Sequence, residues 1–486
     1  MNFSIIKRTV GWILLFEAIF FTVPMLTAIV YWEREFFYFL LCAGICLAVG
    51  GLLLIGKPKN RNIYAKEGFV IVALCWIVMS IFGCLPFIFS GAIPSFIDAL
   101  FETVSGFTTT GSTILLSEQI DTMAKSLLIW RSFTHWVGGM GVLVLLMAFV
   151  PLNGARNLHL MQAESTGASV NKLVPKIRQT AIILYSIYFT LTLIQFILLV
   201  SGGMPVYEAL NVAFATAGTG GFAVKSSSLL EYSSYLQIVT TVFMLLFSVN
   251  FASYFLAFKG KLKDALNAEV RVFFTVVIIA ITAITLNLCF TDGYVGATFT
   301  GTGDVIKHSA FTVASIISTT GFSTLDFNLW PTFSKVVIVL LMFIGACAGS
   351  TGGGMKVSRH MVLCKGASHE IRRMLHPKQV KKITMDGKVV EHEVVRSINA
   401  YLVAFIALFI VSICLIALDG KDFTTSFTAV ATTINNIGPG LGEVGPTGSF
   451  TEFSVLSKIV FIFDMLAGRL EIFPMLILFA PTTWRK

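Results

Sequence analysis

The stretch STTGFST, Ser318–Thr324, interrupts a chain otherwise dominated by Leu, Ile, Val and Phe. Six of its seven residues are small or hydroxyl-bearing, which makes a poor helix interior and a poor contact for lipid. Three further stretches share its character: TTTGST (Thr108–Thr113), TGGFA (Thr219–Ala223) and NIGPG (Asn436–Gly440). Their glycines Gly111, Gly221, Gly321 and Gly438 lie 110, 100 and 117 residues apart. Two residues before each stand Thr109, Thr219, Thr319 and Asn436, and six before stand Ser105, Ala215, Ser315 and Thr432. Agreement fades by ten residues upstream, where Phe101, Asn211, Phe311 and Thr428 differ in type. Near-constant spacing of one motif marks an internal fourfold repeat.

Composition says where these motifs sit. The chain has 486 residues, of which 56% are apolar and 13% charged. Soluble domains carry about 25% charged residues, so this chain has too little polar surface to coat a water-soluble particle of its size. Gly68–Ser90, Leu127–Val150, Ala181–Val200, Phe273–Cys289 and Val395–Leu418 hold few or no charges and match the length that crosses a bilayer. The expected class is an all-α polytopic membrane protein. Lys7 and Arg8 precede the first apolar run, which is too long for a signal peptide and lacks a small-residue cleavage site, so it reads as a retained helix. The eight cysteines lie mostly in apolar spans without metal-ligand spacing and read as small buried hydrophobes.

The net charge of +9 is concentrated. Lys57, Lys59 and Arg61 form one cluster, Lys172, Lys176 and Arg178 another, and Lys259, Lys261 and Lys263 a third. Lys356–Arg396 carries ten Lys or Arg against four Asp or Glu. Cytoplasmic loops of membrane proteins are enriched in these cations, so no nucleic-acid ligand is required. With the basic loops in the cytoplasm, helices at about 10–32 and 36–55 form an initial pair, and both termini are cytoplasmic. The expected units are 1–62 (N-terminal helix pair), then four repeats at 63–165, 166–265, 266–392 and 393–486.

Each repeat has a full span, a half-length segment, a glycine-centred stretch and a returning span. The half segments are about Ile97–Thr108, Val206–Thr216, Val305–Ser318 and Thr424–Thr433. Ten to fourteen residues are too few to cross and read as re-entrant. Irregular backbone at membrane depth is tolerated only where protein or a water-filled cavity satisfies its polar groups. Four such stretches can meet this condition together by converging on one axis. Their carbonyls would then replace the hydration shell of a cation, as the TVGYG loops of K⁺ channels do. The central Gly permits the backbone angles this needs. Each half helix directs its partially negative C-terminus at the site, and Asp98, Asp304 and Asp422 suit three of the N-termini. The plainer alternative, close helix packing through small residues, explains one loop better than four at matched positions.

The segments TVSGFTTTGST (Thr103–Thr113), ATAGTGGFAV (Ala215–Val224), SIISTTGFST (Ser315–Thr324) and TTINNIGPGLGEVGP (Thr432–Pro446) resemble those of the TrkH/TrkG branch of the Trk/Ktr/HKT superfamily of K⁺ transport proteins. The resemblance covers essentially the whole chain. It implies four M1–P–M2 units around one pore in a homodimer of the bacterial inner membrane, active in K⁺ uptake or symport. It makes K⁺ the transported ion, held by Thr109, Thr110, Gly111, Thr219, Gly220, Gly221, Thr319, Thr320, Gly321, Asn436, Ile437 and Gly438, with no further cofactor. Na⁺-preferring plant relatives have Ser at the first filter glycine; Gly111 stands here. The partner it implies is a cytosolic nucleotide-binding subunit of RCK type, TrkA-like, and the basic stretch Lys356–Arg396 is the candidate docking face.

Two motifs remain. GACAGSTGGGMK, Gly345–Lys356, is not a phosphate loop, because Met355 separates Gly354 from Lys356 and no Ser or Thr follows. Its small side chains allow an unwound segment across the pore, and the resemblance makes it a gating loop that includes Gly345, Gly349, Gly352, Gly353 and Gly354. FDMLAGRLEIF, Phe463–Phe473, puts Asp464, Arg469 and Glu471 inside the last span. Such charges need a partner or a cavity; they read either as a structural salt bridge or, by the resemblance, with Arg469 obstructing the pore. Arg131 and His135 read as packing or interface residues. A secondary transporter of a small solute, coupled to ions and built on broken helices, is the rival reading. With seven His and no metal-spaced or Ser–His constellation, an enzyme is not expected.

Overall fold

The computed structural model describes residues 1–56, 65–141, 177–291, 299–376 and 382–484. Among the described residues six helices are long and apolar enough to span a membrane: Phe3–Tyr31, Glu35–Leu54, Lys66–Phe89, Gln179–Ser201, Ala268–Phe290 and His392–Asp419. Among the described residues the only strands are Thr384–Met385 and Lys388–Val389, a small hairpin. The chain is an all-α polytopic membrane protein.

The first two spans are held close by paired glycines. A Cβ on Gly11 would lie 3.0 Å from the Gly50 carbonyl oxygen, and one on Gly50 equally close to that of Gly11, so small residues let the backbones approach where no hydrophobic drive separates helix from lipid. The pair then docks through aromatic rings. Phe21 lies 4.7 Å and Phe39 6.3 Å from Trp130, whose indole N–H donates to the Gly83 carbonyl at 3.0 Å.

After this pair one order of elements occurs four times: a span, a short helix, an extended loop and a second helix. The short helices are Phe96–Phe107, Val206–Gly218, Thr302–Ile317 and Phe423–Asn435, within a few residues of expectation. Side-chain caps start two of them, Ser95 accepting from the Asp98 amide and Asp422 from that of Thr425. Asp304 lies in the first turn of the third, where hydrogen bonds from the Thr300 hydroxyl, Lys307 and the Thr300 amide hold its carboxyl down at about 2.

The returning helices depart from expectation. The sequence marks an interruption only in the third, yet none of the four runs on as one continuous helix. Lys125–Gly139 stops before Gly141 (φ 79°), so the expected span Leu127–Val150 is not one continuous helix; residues 142–150 lie outside the described residues. Ser234–Phe247 turns by 91° into Phe251–Phe258. Thr332–Ile344 gives way to the glycine-rich loop before Val357–Leu375. Val455–Arg469 is interrupted at Glu471 (φ 58°) and Ile472 (φ 66°), then resumes as Phe473–Phe479. The basic stretch Lys356–Arg396 is also not a plain loop: Val357–Leu375 is helical, the hairpin follows, and a helix begins at His392. Lys356 and Arg359 are buried, which withdraws two cations from the expected docking face. The clusters at Lys57–Arg61 and Lys172–Lys176 lie outside the described residues. Five cysteines are buried as expected, whereas Cys364 and Cys414 are exposed.

Candidate functional site

Each short helix ends in the same way. The amide of Thr110 donates to Ser105, Gly220 to Ala215, Thr320 to Ser315 and Ile437 to Thr432, every one at 2.9 Å. This bond needs a left-handed residue before it, and that residue is Thr109 (φ 57°), Thr219 (56°), Thr319 (59°) or Asn436 (54°). A β-branched side chain in this region is a backbone outlier costing of order 1–3 kcal/mol. Three threonines held identically make it a built feature. Two residues on, Gly111, Gly221, Gly321 and Gly438 also have positive φ, between 78° and 101°. A backbone that alternates left- and right-handed residues turns successive carbonyls to one side.

The glycines bring the four loops together. A Cβ on Gly111 would fall 1.9 Å from the Gly220 carbonyl oxygen, on Gly221 2.0 Å from that of Thr320, on Gly321 2.3 Å from that of Ile437, and on Gly438 2.9 Å from that of Thr110. The contacts run from unit one to two, two to three, three to four and four back to one. This cycle is closed, so the loops surround one axis and four helix C-termini approach it. A cavity of about 80 Å³ at its outer mouth is lined by all four glycines. Hydrogen bonds link the rim all round: Ser226 to Asp121 (2.7 Å), Leu229 amide to Ser323 (3.0 Å), Asn328 to Gly442 (3.1 Å) and Phe450 amide to Thr113 (2.9 Å). Among the described residues no cluster of His, Cys, Asp or Glu is placed to hold a metal.

Glu102, which the sequence reading passed over, braces these loops together with Arg131 and His135. Glu102 accepts from Arg131 at 2.7 Å, from the Thr113 hydroxyl at 3.0 Å and from the Ile114 amide at 3.1 Å. Arg131 also stacks 4.1 Å from the Phe222 ring, joining unit one to unit two. The Phe222 amide donates to Nε2 of His135 at 3.3 Å, which leaves Nδ1–H to donate to the Gly106 carbonyl at 2.7 Å. Arg131 and His135 are thus interface residues, as expected, and their contacts tie the loops of the first two units together. Isolated acids in apolar helices, such as Glu102, were the available signal.

The glycine-rich loop lies directly against the inner side of the ring. The Gly353 amide donates to the Thr319 hydroxyl at 2.6 Å and the Gly354 amide to the Asn435 carbonyl at 3.0 Å. A Cβ on Gly352 would meet the Ser318 carbonyl oxygen at 2.9 Å, and one on Gly353 that of Asn435 at 2.4 Å. Gly345, Gly349 and Gly354 have positive φ, which lets the loop fold back until Gly345 touches Gly354. Arg469 donates to Thr351 at 2.8 Å and to Gly138 and Gly139 at 2.6 Å, tying the loop to the first and fourth broken helices. Asp464 accepts from Ser412 and Glu471 pairs with Arg359, so these two acids serve different contacts from Arg469. Lys356 donates to Gly352 inside the loop. Glu269 accepts from the amides of Ala348 (2.7 Å) and Ser358 (3.1 Å), holding the loop and the start of the helix beyond it.

A ring of four irregular loops with a loop of small residues against its inner side is the geometry of an ion pathway. The sequence pattern of TrkH, described as a cation transport protein, matches residues 37–486.

The chain belongs to the TrkH family.

Its similarity is end to end. It is 35% identical to the Trk system potassium uptake protein TrkH of Escherichia coli K12 over 100% of both chains. It is 32% identical to TrkG of the same organism over 95% of each. The crystal structure of the potassium transporter TrkH from Vibrio parahaemolyticus superposes with a TM-score of 0.88 at 33% identity, covering 100% of both. The family's role is cation transport, not catalysis.

Proposed function

We propose that this TrkH-family chain carries K⁺ across the bacterial inner membrane along the axis of the four loops. The carrying observation is the closed cycle in which each unit's glycine packs on its neighbour's carbonyl oxygen. Thr109–Gly111, Thr219–Gly221, Thr319–Gly321 and Asn436–Gly438 supply the backbone oxygens, and the close packing of the loops leaves no room for a side chain at the glycines. Oxygen dipoles preset in this way take over the ion's hydration without reorganising, and the helix C-termini behind them favour positive charge.

Gly345–Gly354 and Arg469 form the gate. The loop blocks the path below the ring, and the guanidinium, anchored on three carbonyls, adds a repelling charge. The chain works as a homodimer with cytoplasmic termini, and a cytosolic RCK-type nucleotide-binding ring acts on the loop through the exposed part of Val357–Leu375 and the hairpin. The test is radioactive Rb⁺ uptake into proteoliposomes with and without the ring, under imposed H⁺ or Na⁺ gradients. Uptake that K⁺ competes with and Na⁺ does not supports the filter; none under any gradient would sink it. The rival, an alternating carrier, is separated by single-channel recording, because discrete current steps exclude it.

A further inference from the structure

Beyond the ion path, a basic hollow of about 320 Å³ lies between the outer half of the helix Val357–Leu375 and the chain entering the hairpin. Lys365, Ser368, Arg372, Arg373, Lys382 and Thr384 line it, and its lining contains no acid. Lys365 donates to the Thr384 carbonyl at 2.8 Å and so closes one wall. Arg373 is shared with Glu370 at 3.2 Å, outside the hollow. The side chains of Arg372 and Lys382 have no hydrogen-bond or ion-pair partner among the described residues. Two unpaired cations converging beside a hydroxyl suit a phosphate, which an Arg grips through two parallel N–H bonds.

The surroundings select the source of that phosphate. Asp386 in the hairpin accepts from the Ala268 amide at 2.8 Å and lies 3.9 Å from Arg271, so the hollow sits at the very start of the membrane span Ala268–Phe290. Beside it, Ile371, Met374 and Leu375 are 60%, 79% and 69% exposed on one face of the same helix, at i, i+3 and i+4 spacing. A helix end with basic groups on one side and large apolar groups on the next lies in the lipid headgroup region. Basic hollows on the cytoplasmic side of membrane helices hold anionic headgroups.

We propose that this hollow binds the phosphate of an anionic phospholipid, with the acyl chains running along Ile371, Met374 and Leu375. The site rests only on the membrane placement of the chain and is independent of the filter; it takes the end of the helix at Lys365–Arg373 and leaves the rest of the exposed helix and the hairpin turn to the ring proposed above.

The test is native mass spectrometry of the full chain in detergent, titrated with phosphatidylglycerol or phosphatidylcholine. Each basic group near a headgroup contributes about fivefold, so Arg372→Gln with Lys382→Gln lowers phosphatidylglycerol retention roughly 25-fold. Lys259→Gln with Lys263→Gln removes the same net charge elsewhere and leaves retention unchanged, while thermal unfolding confirms that both variants are folded. Equal retention by the two variants would overturn the proposal. So would full displacement by millimolar glycerol 3-phosphate, which would make the ligand a soluble phosphate. Unchanged lipid binding with lost binding of the regulatory ring would instead make the hollow a protein-docking surface.

Discussion

Gly111→Ser tests the ring at its tightest point. The new Cβ would lie 1.9 Å from the Gly220 carbonyl oxygen, whereas 3.0 Å is the closest such contact that side chains tolerate. Either the oxygen or the Gly111 backbone must move by about 1.1 Å, twice the ~0.5 Å within which binding groups need to be held. The backbone cannot relax freely, because Gly111 has φ 82°, where a Cβ costs about 1–2 kcal/mol. In the proposed filter the displaced group is one of the oxygens that face the ion. An interaction between a carbonyl and a charged partner is worth about 1.5–3 kcal/mol, so the preference for K⁺ over Na⁺ falls by about 10- to 100-fold. Competition of K⁺ and Na⁺ against radioactive Rb⁺ uptake in proteoliposomes reads this ratio directly. The distances also rank the four positions: serine at Gly221 (2.0 Å) acts almost as strongly, at Gly321 (2.3 Å) less, and at Gly438 (2.9 Å) least. An unchanged ratio in folded Gly111→Ser protein, or the reverse ranking, would refute the assignment of these oxygens.

Four further outcomes follow from the contacts beneath and behind the ring. Deleting Gly349–Gly353 removes the carbonyl that Arg469 grips and the amide that Thr319 accepts from, while Gly345 and Gly354 already touch; Rb⁺ uptake without the regulatory partner rises, and low uptake by folded protein would show that the loop is no barrier. Arg469→Gln weakens the anchor on Thr351, Gly138 and Gly139 and discharges the path, raising partner-free uptake about tenfold for one lost charge-assisted bond of ~1.5 kcal/mol. Glu269→Ala frees the amides of Ala348 and Ser358 and gives a smaller rise in the same assay, with ion preference unaltered. Glu102→Gln leaves the buried Arg131 guanidinium without its counter-charge, a loss of about 3–5 kcal/mol seen as a Tm lowered by several degrees together with reduced uptake.

The readings that held were local. Each half-length helix was legible because its length, apolar face and following glycine stretch are contiguous in the chain. The breaks in the other three returning helices were not. Gly141 follows an ordinary helix terminus, Ser248–Asn250 contains no glycine, and Glu471–Ile472 carries positive φ on residues that rarely adopt it. Tertiary contacts hold these breaks: Arg359 pairs with Glu471, and the Phe251 amide donates to the Gly349 carbonyl at 3.0 Å. In the basic stretch Lys356–Arg396 charge counting overstates the solvated cations, because it takes every lysine as solvated whereas Lys356 is 2% exposed and turned into the glycine-rich loop.

By itself the amino-acid order determined a membrane-spanning helical chain with four re-entrant glycine stretches, since apolar length and backbone freedom are properties of short segments. The closure of those stretches into one ring, the seat of the glycine-rich loop against Thr319, and the bracing by Glu102, His135 and Glu269 were decided only in three dimensions. They join residues more than 300 positions apart, as where Gly438 packs on Thr110. At such separations the partner of a buried carbonyl or carboxylate is chosen by which surfaces pack together, and no local pattern encodes that choice.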